Sequence, residues 1–168
     1  LSAGHRFNVA INVSMQDIAD VEFPDRVQTL AHNLGCDPSR ITIEVTESEA
    51  MEQLGTALDV LTRLRLRHFV ISLDDFGTGH SSMAQLRDLP FDELKIDRSF
   101  VHGATNDSRL RAICAASIRM AHQLGLRVVA EGIEDPEEWE LLRYLGCDIG
   151  QGYFIAKPMA AHEMESWL

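Results

Sequence analysis

Short apolar runs alternate with longer amphipathic stretches along the whole chain. Six of the runs have the length and the content of β-branched residues that are typical of strands. These runs are Phe7–Val13, Ile41–Val45, Phe69–Asp74, Glu93–Asp97, Leu126–Glu131 and Ile149–Phe154. Apolar residues in the stretches between them recur at the spacing of an amphipathic helix. A repeated order of strand and helix predicts a parallel sheet that is covered by helices.

Capping residues mark where several of the predicted helices begin and end. The stretch Asp135–Gly146 has an aspartate in the cap position, a proline at the first helical position and a closing glycine. Two of the other stretches also close on a glycine, which suits the left-handed residue after a helix. These other predicted helices are Phe23–Gly35, Ser48–Leu66, Asn106–Gly125 and Ala160–Leu168.

The faces of the predicted strands distinguish between two architectures, a doubly wound open sheet and a (β/α)8 barrel. Every second residue of a strand lies on the same face. One face of the strands is apolar, whereas the other becomes more polar towards the carboxyl ends. An open sheet with helices on both sides is apolar on both faces, so the pattern favours a TIM-barrel-like α/β fold with its site at the carboxyl ends. Because such a barrel has eight strands in about 250 residues, we expect about two strands and a helix before Leu1.

The composition argues against several classes of protein. A net charge of −11 is unsuited to binding nucleic acid polymers, which requires a basic surface. No segment approaches the roughly 20 apolar residues of a membrane-spanning helix, so we expect no membrane contact by this segment. Cys36, Cys114 and Cys147 are far apart and odd in number, and they predict neither a disulfide framework nor a zinc site. We therefore expect a reducing, cytoplasmic location.

Polar side chains gather at the predicted carboxyl ends of the strands. They are Asn12, Glu44, Asp74, Asp75, Lys95, Glu131 and Gln151. Carboxylate and amide oxygens are hard ligands that favour Mg²⁺ or Mn²⁺ over zinc. Since two adjacent aspartates repel each other, a positive group should lie beside them, and we interpret that group as metal. Two such ions about 4 Å apart serve phosphodiester hydrolysis, because they produce a hydroxide and neutralise charge on the phosphate.

Each of these residues taken alone also has a purely structural interpretation. The double aspartate with its glycine turn could cap the next helix, and Glu44 could lie exposed at a sheet edge. Lys95 could pair with Glu93 or Asp97 of its own strand. Glu47 either anchors the loop after the double aspartate or is an acid in the first turn of the next helix. The set as a whole favours a functional site, because successive strands end in the same chemistry.

The successive motifs of the chain resemble those of the EAL-domain family. The motifs are INVS, IEVTES, DDFGTGHSS, LKIDRSFV, VVAEGIE and GCDIGQGYFIAKP, in the order and at the intervals of the family. The resemblance extends over residues 1–168 and implies a TIM-barrel-like domain that hydrolyses cyclic di-GMP to linear pGpG. It also implies dependence on Mg²⁺ or Mn²⁺ and inhibition by Ca²⁺. The Glu-Ala-Leu motif of the family is absent, so we expect that motif, with one metal-binding glutamate, before Leu1.

The resemblance implies metal-binding and catalytic roles for the residues at the strand ends. The implied metal ligands are Asn12, Glu44, Asp74, Asp75 and Glu131. The implied catalytic residues are Lys95, Glu131 and Gln151. In the family the lysine holds the attacking water, the glutamate is a base or a ligand of the second ion, and the glutamine lies beside the water.

Further implied roles concern the substrate and the loop after the double aspartate. Asp97 and Gln151 match residues on the substrate side, and Glu47 matches a glutamate that holds the loop. The loop residues are Phe76, Gly77, Thr78 and Gly79. The resemblance implies that this loop contributes to a homodimer, and we also expect an upstream sensory or regulatory module.

The sequence leaves two other functions open. A barrel of this kind could bind cyclic di-GMP without hydrolysing it and signal through partners. Such receptors lose several acids at the strand ends, whereas this chain keeps those within its range, which favours catalysis. An unrelated enzyme with Lys95 as a Schiff-base lysine is disfavoured, because the acids around the amine would keep it protonated.

Overall fold

A single parallel sheet of six strands forms the centre of the computed structural model, which describes residues 7–47, 54–78 and 83–167. The strands are β1 (Val9–Asn12), β2 (Ile41–Thr46), β3 (Val70–Phe76), β4 (Glu93–Ile96), β5 (Arg127–Ala130) and β6 (Ile149–Gly150). Strands that follow each other in the chain are neighbours in the sheet, and every pair is parallel. The sheet curls into half of a barrel, which confirms the predicted TIM-barrel-like α/β fold.

Helices connect the strands and cover one face of the sheet. They are α1 (Met15–Ala19), α2 (Phe23–Asn33), α3 (Leu54–Leu66), α4 (Met83–Asp88), α5 (Arg98–Val101), α6 (Ser108–Gln123), α7 (Pro136–Leu145) and α8 (Ala161–Trp167), with a short 3₁₀ helix at Pro38–Arg40. The predicted boundaries of α7 are confirmed: Asp135 accepts a hydrogen bond from the Glu138 amide at 2.8 Å, and Gly146 has a φ of 94°. The predicted cap Ser48 lies outside the described residues.

The two faces of the sheet differ as the alternation predicts. Ile43, Ile71 and Leu94 lie on the apolar face, are at most 1% exposed and belong to the same core as Leu61 of α3 and Ile118 of α6. Complete burial of one such side chain contributes about 1.5–3 kcal/mol to folding. The opposite face carries polar side chains that are also buried, because the sheet curls around them. These polar residues are Thr42, Glu44, Ser72, Glu93 and Lys95.

The sequence predicts a strand over Ile149–Phe154, but β6 has only two residues. The predicted length is therefore wrong. The chain turns after β6 and packs against Ile133 instead. A Cβ atom at Gly152 would lie 2.2 Å from the carbonyl oxygen of Ile133, so only glycine allows this approach. Hydrogen bonds on both sides of Gly152 hold the contact: Ile133 donates to the Gln151 carbonyl at 3.1 Å and accepts from the Phe154 amide at 3.0 Å.

Three short helices were not expected from the sequence. The hydrophobic pattern does not predict α1, α4 or α5, which have four to six residues each.

The three cysteines are free, and Cys114 and Cys147 are buried, which agrees with a packing role. None of the described helices has both the length and the apolar character needed to cross a membrane.

Candidate functional site

Lys95 is the centre of a cluster of acidic side chains from three other segments of the sheet. Its ammonium nitrogen lies 2.9 Å from Glu44 Oε1, 3.2 Å from Asp74 Oδ1 and 2.7 Å from Glu131 Oε1. Lys95 is only 3% exposed. The three partners come from β2, β3 and the end of β5 and not from the strand of Lys95 itself. The structural interpretation of a pair with Glu93 or Asp97 is therefore wrong. Glu44 is buried as well and does not lie exposed at an edge.

The parallel register explains why these residues meet. Glu44, Asp74 and Lys95 point to the concave side of the curled sheet near the carboxyl ends of β2, β3 and β4. Glu131 follows β5 directly, and its amide donates to the Ile96 carbonyl at 3.1 Å, which holds it beside the end of β4. Strand ends of a parallel sheet meet at one edge. Residues that are far apart in the sequence thus form one cluster.

Asp75 turns its carboxylate towards this cluster through an unusual backbone conformation. Its φ of 56° is left-handed, and the register of β3 against β4 shifts between Leu73 and Phe76. One oxygen atom each from Asp74, Asp75 and Glu131 lies within 4.8 Å of the other two. Asp74 and Asp75 both lie within β3. Three carboxylates at this spacing are suited to a divalent cation.

The cluster carries more negative than positive charge. Burial disfavours the charged form of Lys95, but hydrogen bonds and attraction from Glu131 and Glu44 outweigh it and raise the pKa of Lys95 above its usual value. Burial raises the pKa of Glu131, although Lys95 opposes this effect. Burial and the charge of Asp74 also raise the pKa of Asp75. A single ammonium therefore leaves part of the acidic charge uncompensated, and a divalent cation would supply what is missing.

Glu47 connects the end of β2 to the loop after the double aspartate. It is 3% exposed, and its Oε2 atom accepts a hydrogen bond from the Gly77 amide at 2.9 Å. Gly77 has a φ of 96°, and a Cβ atom there would lie 2.8 Å from the ring of Phe100. Thr78 closes the turn by donating its hydroxyl to the Asp75 carbonyl at 2.8 Å. This geometry supports the interpretation of Glu47 as a loop anchor, whereas Gly79 lies outside the described residues.

Replacing Glu47 by alanine is expected to release this loop. The free energy of unfolding should fall by about 1.5–3 kcal/mol, the usual contribution of a hydrogen bond to a charged group. Mn²⁺ should also raise the melting temperature of the variant by less than that of the wild type, because Asp75, an implied metal ligand, is only two residues from the released Gly77. Thermal unfolding with EDTA and with Mn²⁺ measures both effects. Glu47→Gln keeps an acceptor oxygen and should retain most of the metal response, whereas an unchanged response in Glu47→Ala would make Glu47 an ordinary helix acid.

A cavity of about 350 Å³ lies beside the acidic cluster. Its lining contains Asp75, Asp97, Arg98, Glu131, Gly132, Glu134, Gln151, Gly152 and Tyr153. Asp97 follows β4 and caps α5 by accepting a hydrogen bond from the Ser99 amide at 3.0 Å. Burial works in the opposite direction, but the hydrogen bonds from Ser99 and the Arg98 amide hold the pKa of Asp97 below its usual value. Asp97 is thus a fixed anion at the cavity wall.

Asn12 and Gln151 are at the two outer strands. Asn12 is paired in register with Glu44, but it is exposed, and no hydrogen bond joins its side chain to the acidic cluster in the part of the chain that the structure describes. Gln151 follows β6, and its amide donates to the Ala130 carbonyl at 2.8 Å. Gln151 therefore borders the cavity next to Glu131, while Asn12 lies on the other side of the cluster.

The sequence did not single out five of the cavity residues, namely Arg98, Gly132, Glu134, Gly152 and Tyr153. Each of them is within three residues of a predicted site residue, so the motifs contained them without assigning them a role. Gly132 carries the clearest structural reason for its identity. A Cβ atom there would lie 2.4 Å from the Cβ of Arg98, and its φ is 68°, so the chain approaches Arg98 as only glycine permits.

The curled parallel sheet, the lysine surrounded by acids and the adjoining cavity define a TIM-barrel-like protein with a candidate divalent-metal site at its strand ends. The chain belongs to the EAL-domain family, because the family model for the EAL domain matches residues 1–158. This match confirms the resemblance that the motifs indicate.

Several characterised proteins are similar to this chain. A cyclic di-GMP phosphodiesterase of Pseudomonas aeruginosa is 41% identical over 160 residues, which are 95% of this chain and 27% of that protein. The solved complex of the PaMucR phosphodiesterase with c-di-GMP is 38% identical, with a TM-score of 0.91, over 97% of this chain and 66% of that chain. Klebsiella pneumoniae BlrP1, solved with manganese and cy-diGMP, is 30% identical, with a TM-score of 0.84, over 90% of this chain and 39% of that chain. The chain spans about a quarter of the length of the curated relatives it matches.

Proposed function

We propose that this chain carries most of the active site of a phosphodiesterase that hydrolyses cyclic di-GMP to linear pGpG in bacterial second-messenger signalling. The observation that carries the proposal is the position of Lys95 between the carboxylates of Glu44, Asp74 and Glu131. Asp74 and Glu131, together with Asp75, also bring three carboxylate oxygens close enough to hold a cation. The adjoining cavity offers space for a ligand. Similarity to named cyclic di-GMP phosphodiesterases supports the same substrate.

The residues present fit Mg²⁺ or Mn²⁺. Carboxylate and amide oxygens are hard ligands, and the acidic cluster has uncompensated negative charge. Such ions, when bound, activate a water and neutralise charge on the phosphate. Asn12, Glu44 and Asp74 are the proposed ligands of one ion, and Asp75 and Glu131 of the other. Ca²⁺ would occupy the same oxygens with its more flexible geometry, and we propose that it inhibits.

The remaining steps fall to side chains of the chain itself. Although burial opposes them, the hydrogen bonds to Glu131 and Glu44 raise the pKa of Lys95, so its ammonium can hold the attacking water and stabilise charge that develops on the phosphate. Glu131 lies at 2.7 Å from that ammonium and is the proposed acceptor of the proton from the water. Asp97 and Gln151 line the cavity and are the proposed contacts to the nucleotide.

The proposal extends to the rest of the protein. In the family, a further metal-binding glutamate comes from the Glu-Ala-Leu motif, which residues 1–168 of this domain do not contain. A sensory or regulatory module precedes it, as the name of the Escherichia coli relative, oxygen sensor protein DosP, supports. The domain is cytoplasmic and forms a homodimer to which the loop with Phe76, Gly77, Thr78 and Gly79 contributes.

A hydrolysis assay tests the proposed function. The protein is incubated with cyclic di-GMP and with Mg²⁺, Mn²⁺, Ca²⁺ or EDTA, and the products are separated by chromatography. We expect linear pGpG with Mg²⁺ or Mn²⁺ and none with Ca²⁺ or EDTA. Asp74→Asn and Glu44→Gln should abolish turnover while the fold is kept. Binding of cyclic di-GMP without turnover in Mg²⁺ would identify a receptor instead, and turnover in EDTA would contradict the metal-dependent mechanism.

A further inference from the structure

Glu138 of α7 is a buried carboxylate outside the cluster around Lys95. It is 2% exposed, yet no lysine or arginine forms an ion pair with it among the described residues. Its partners are hydrogen-bond donors from two different segments. Oε1 accepts from the Gly103 amide at 3.2 Å and lies 3.2 Å from His102 Nδ1, and Oε2 accepts from the Glu134 amide at 2.9 Å. Burial of a carboxylate is costly unless such bonds satisfy it, so this arrangement is specific.

The two segments that Glu138 joins both form walls of the cavity. One runs from Asp97 to Gly103, beyond the end of β4, and contributes Asp97 and Arg98 to the lining. The other runs from Glu131 to Glu134, beyond the end of β5, and contributes Glu131, Gly132 and Glu134. The segments touch where Gly132 packs on Arg98. Their spacing beyond this point depends on the carboxylate that bonds to both.

Helix capping alone does not explain Glu138. Asp135 and Glu138 have the spacing of a capping box, in which the glutamate would bond to the amide of its own cap residue. Asp135 does accept from the Glu138 amide, at 2.8 Å. The Glu138 side chain, however, bonds to Glu134, the residue before the cap, and to Gly103 in another strand–helix unit.

We propose that Glu138 is a positioning residue for the cyclic dinucleotide. It fixes the Asp97–Gly103 segment against the Glu131–Glu134 segment and so sets the width of the cavity between the lining residues Asp97 and Glu134. The inference rests on the proposed phosphodiesterase function. Since the carboxylate does not contact the acidic cluster, its removal should affect the nucleotide more than the metal.

Steady-state kinetics with three variants test this role. Glu138→Ala should raise KM for cyclic di-GMP about tenfold, or about 1.4 kcal/mol of binding free energy, because Asp97 and Glu134 would lose their fixed spacing. The change in kcat should be small, because the bonds of Glu131 to Ile96 and Lys95 remain. Glu138→Gln keeps one acceptor oxygen and should raise KM by less. Glu140→Ala removes an exposed acid of the same helix, which pairs with Arg143 in the described part of the chain, and it should behave as wild type. A merely destabilising effect would lower the active fraction, and hence kcat, at an unchanged KM, and that result would overturn the proposal.

Hydrogen exchange of the metal-free protein provides a readout that does not depend on turnover. The amides of Gly103 and Glu134 should exchange faster in Glu138→Ala than in wild type, and one of the two should do so in Glu138→Gln. Glu140→Ala should leave both unchanged. Should wild type fail to hydrolyse cyclic di-GMP, the proposed function is wrong, while the exchange rates still decide whether Glu138 joins the two segments. Unchanged exchange at both amides in Glu138→Gln overturns the proposal even if the alanine variant does not fold.

Discussion

Replacing Asp75 by asparagine is expected to abolish hydrolysis while leaving the metal-free protein at least as stable as the wild type. Burial and the charge of Asp74 raise the pKa of Asp75, so its charged form is unfavourable in the absence of metal. Asparagine removes that charge and also tolerates the left-handed φ of 56° at this position. The loss of a metal ligand should reduce kcat/KM at least about a hundredfold, or ~2.7 kcal/mol of transition-state stabilisation.

Thermal unfolding with EDTA and with Mn²⁺ checks the stability part of this expectation. A cation that binds the folded protein raises its melting temperature. The increase with Mn²⁺ should be smaller in Asp75→Asn than in the wild type, because Asn12, Glu44 and Asp74 remain for the other ion. Asp59→Asn is the matched control, since Asp59 is an exposed acid of α3 far from the cluster, and it should keep the metal response. A large fall in the metal-free melting temperature of Asp75→Asn would mean that Asp75 stabilises the fold itself, and wild-type turnover would remove it from the site.

The same pKa shifts predict how the metal response depends on pH. The folded-state pKa values of Asp75 and Glu131 are raised. Such groups stabilise the folded state below their unfolded pKa, about 4, and this contribution is lost as pH rises through the folded pKa. Protons therefore compete with the cation at low pH, and the increase in melting temperature with Mn²⁺ should be larger at pH 7.5 than at pH 5.

Replacing Lys95 by methionine is expected to have the largest effect on stability. Glu44, Asp74 and Glu131 would remain buried without the ammonium between them, and removing one partner from a buried ion pair costs about 3–5 kcal/mol. Because the pKa of Lys95 is raised in the folded protein, its contribution to the stability of the wild type is fully present below the unfolded pKa of about 10.4. In the variant, protonation of the acids should restore part of the stability as pH falls from 7 to 5. Hydrolysis should be lost at every pH.

Urea denaturation in EDTA at pH 7 and pH 5 measures this change, and a repeat with Mn²⁺ asks whether a cation replaces the missing charge. We expect the cation to recover part of the lost stability. Arg87→Met removes an exposed cation whose ion pair among the described residues is with its neighbour Asp88, and it should leave stability unchanged. Equal stability of Lys95→Met and wild type in EDTA would show that Lys95 does not compensate the buried acids.

The sequence was sufficient to predict which residues gather at the strand ends, because alternation along each strand and a parallel order are both local signals. Glu44, Asp74, Lys95 and Glu131 follow directly from them. The partners of Lys95 did not follow, because a pattern of alternating residues offers Glu93 and Asp97 on the same strand. Curling of the sheet brings acids from β2, β3 and the end of β5 closer than either.

Features that depend on contacts between distant backbone segments also escaped prediction. The sixth strand ends early because Gly152 packs on Ile133, and no local pattern reveals that approach. The side chain of Glu138 has the spacing of a helix cap, yet its carboxylate reaches Gly103 in another strand–helix unit. The left-handed conformation of Asp75 likewise coincides with the register shift of β3 against β4, which no local pattern reveals.

Anomalous diffraction from crystals soaked in Mn²⁺ tests most directly whether acids from separate strands bind divalent cations at one opening of the barrel. We expect anomalous peaks within about 2.5 Å of oxygen atoms of Asp74, Asp75 and Glu131, and loss of the peak beside Asp75 in Asp75→Asn crystals. Peaks elsewhere on the protein with none among these three carboxylates, at a Mn²⁺ concentration that supports hydrolysis, would contradict it.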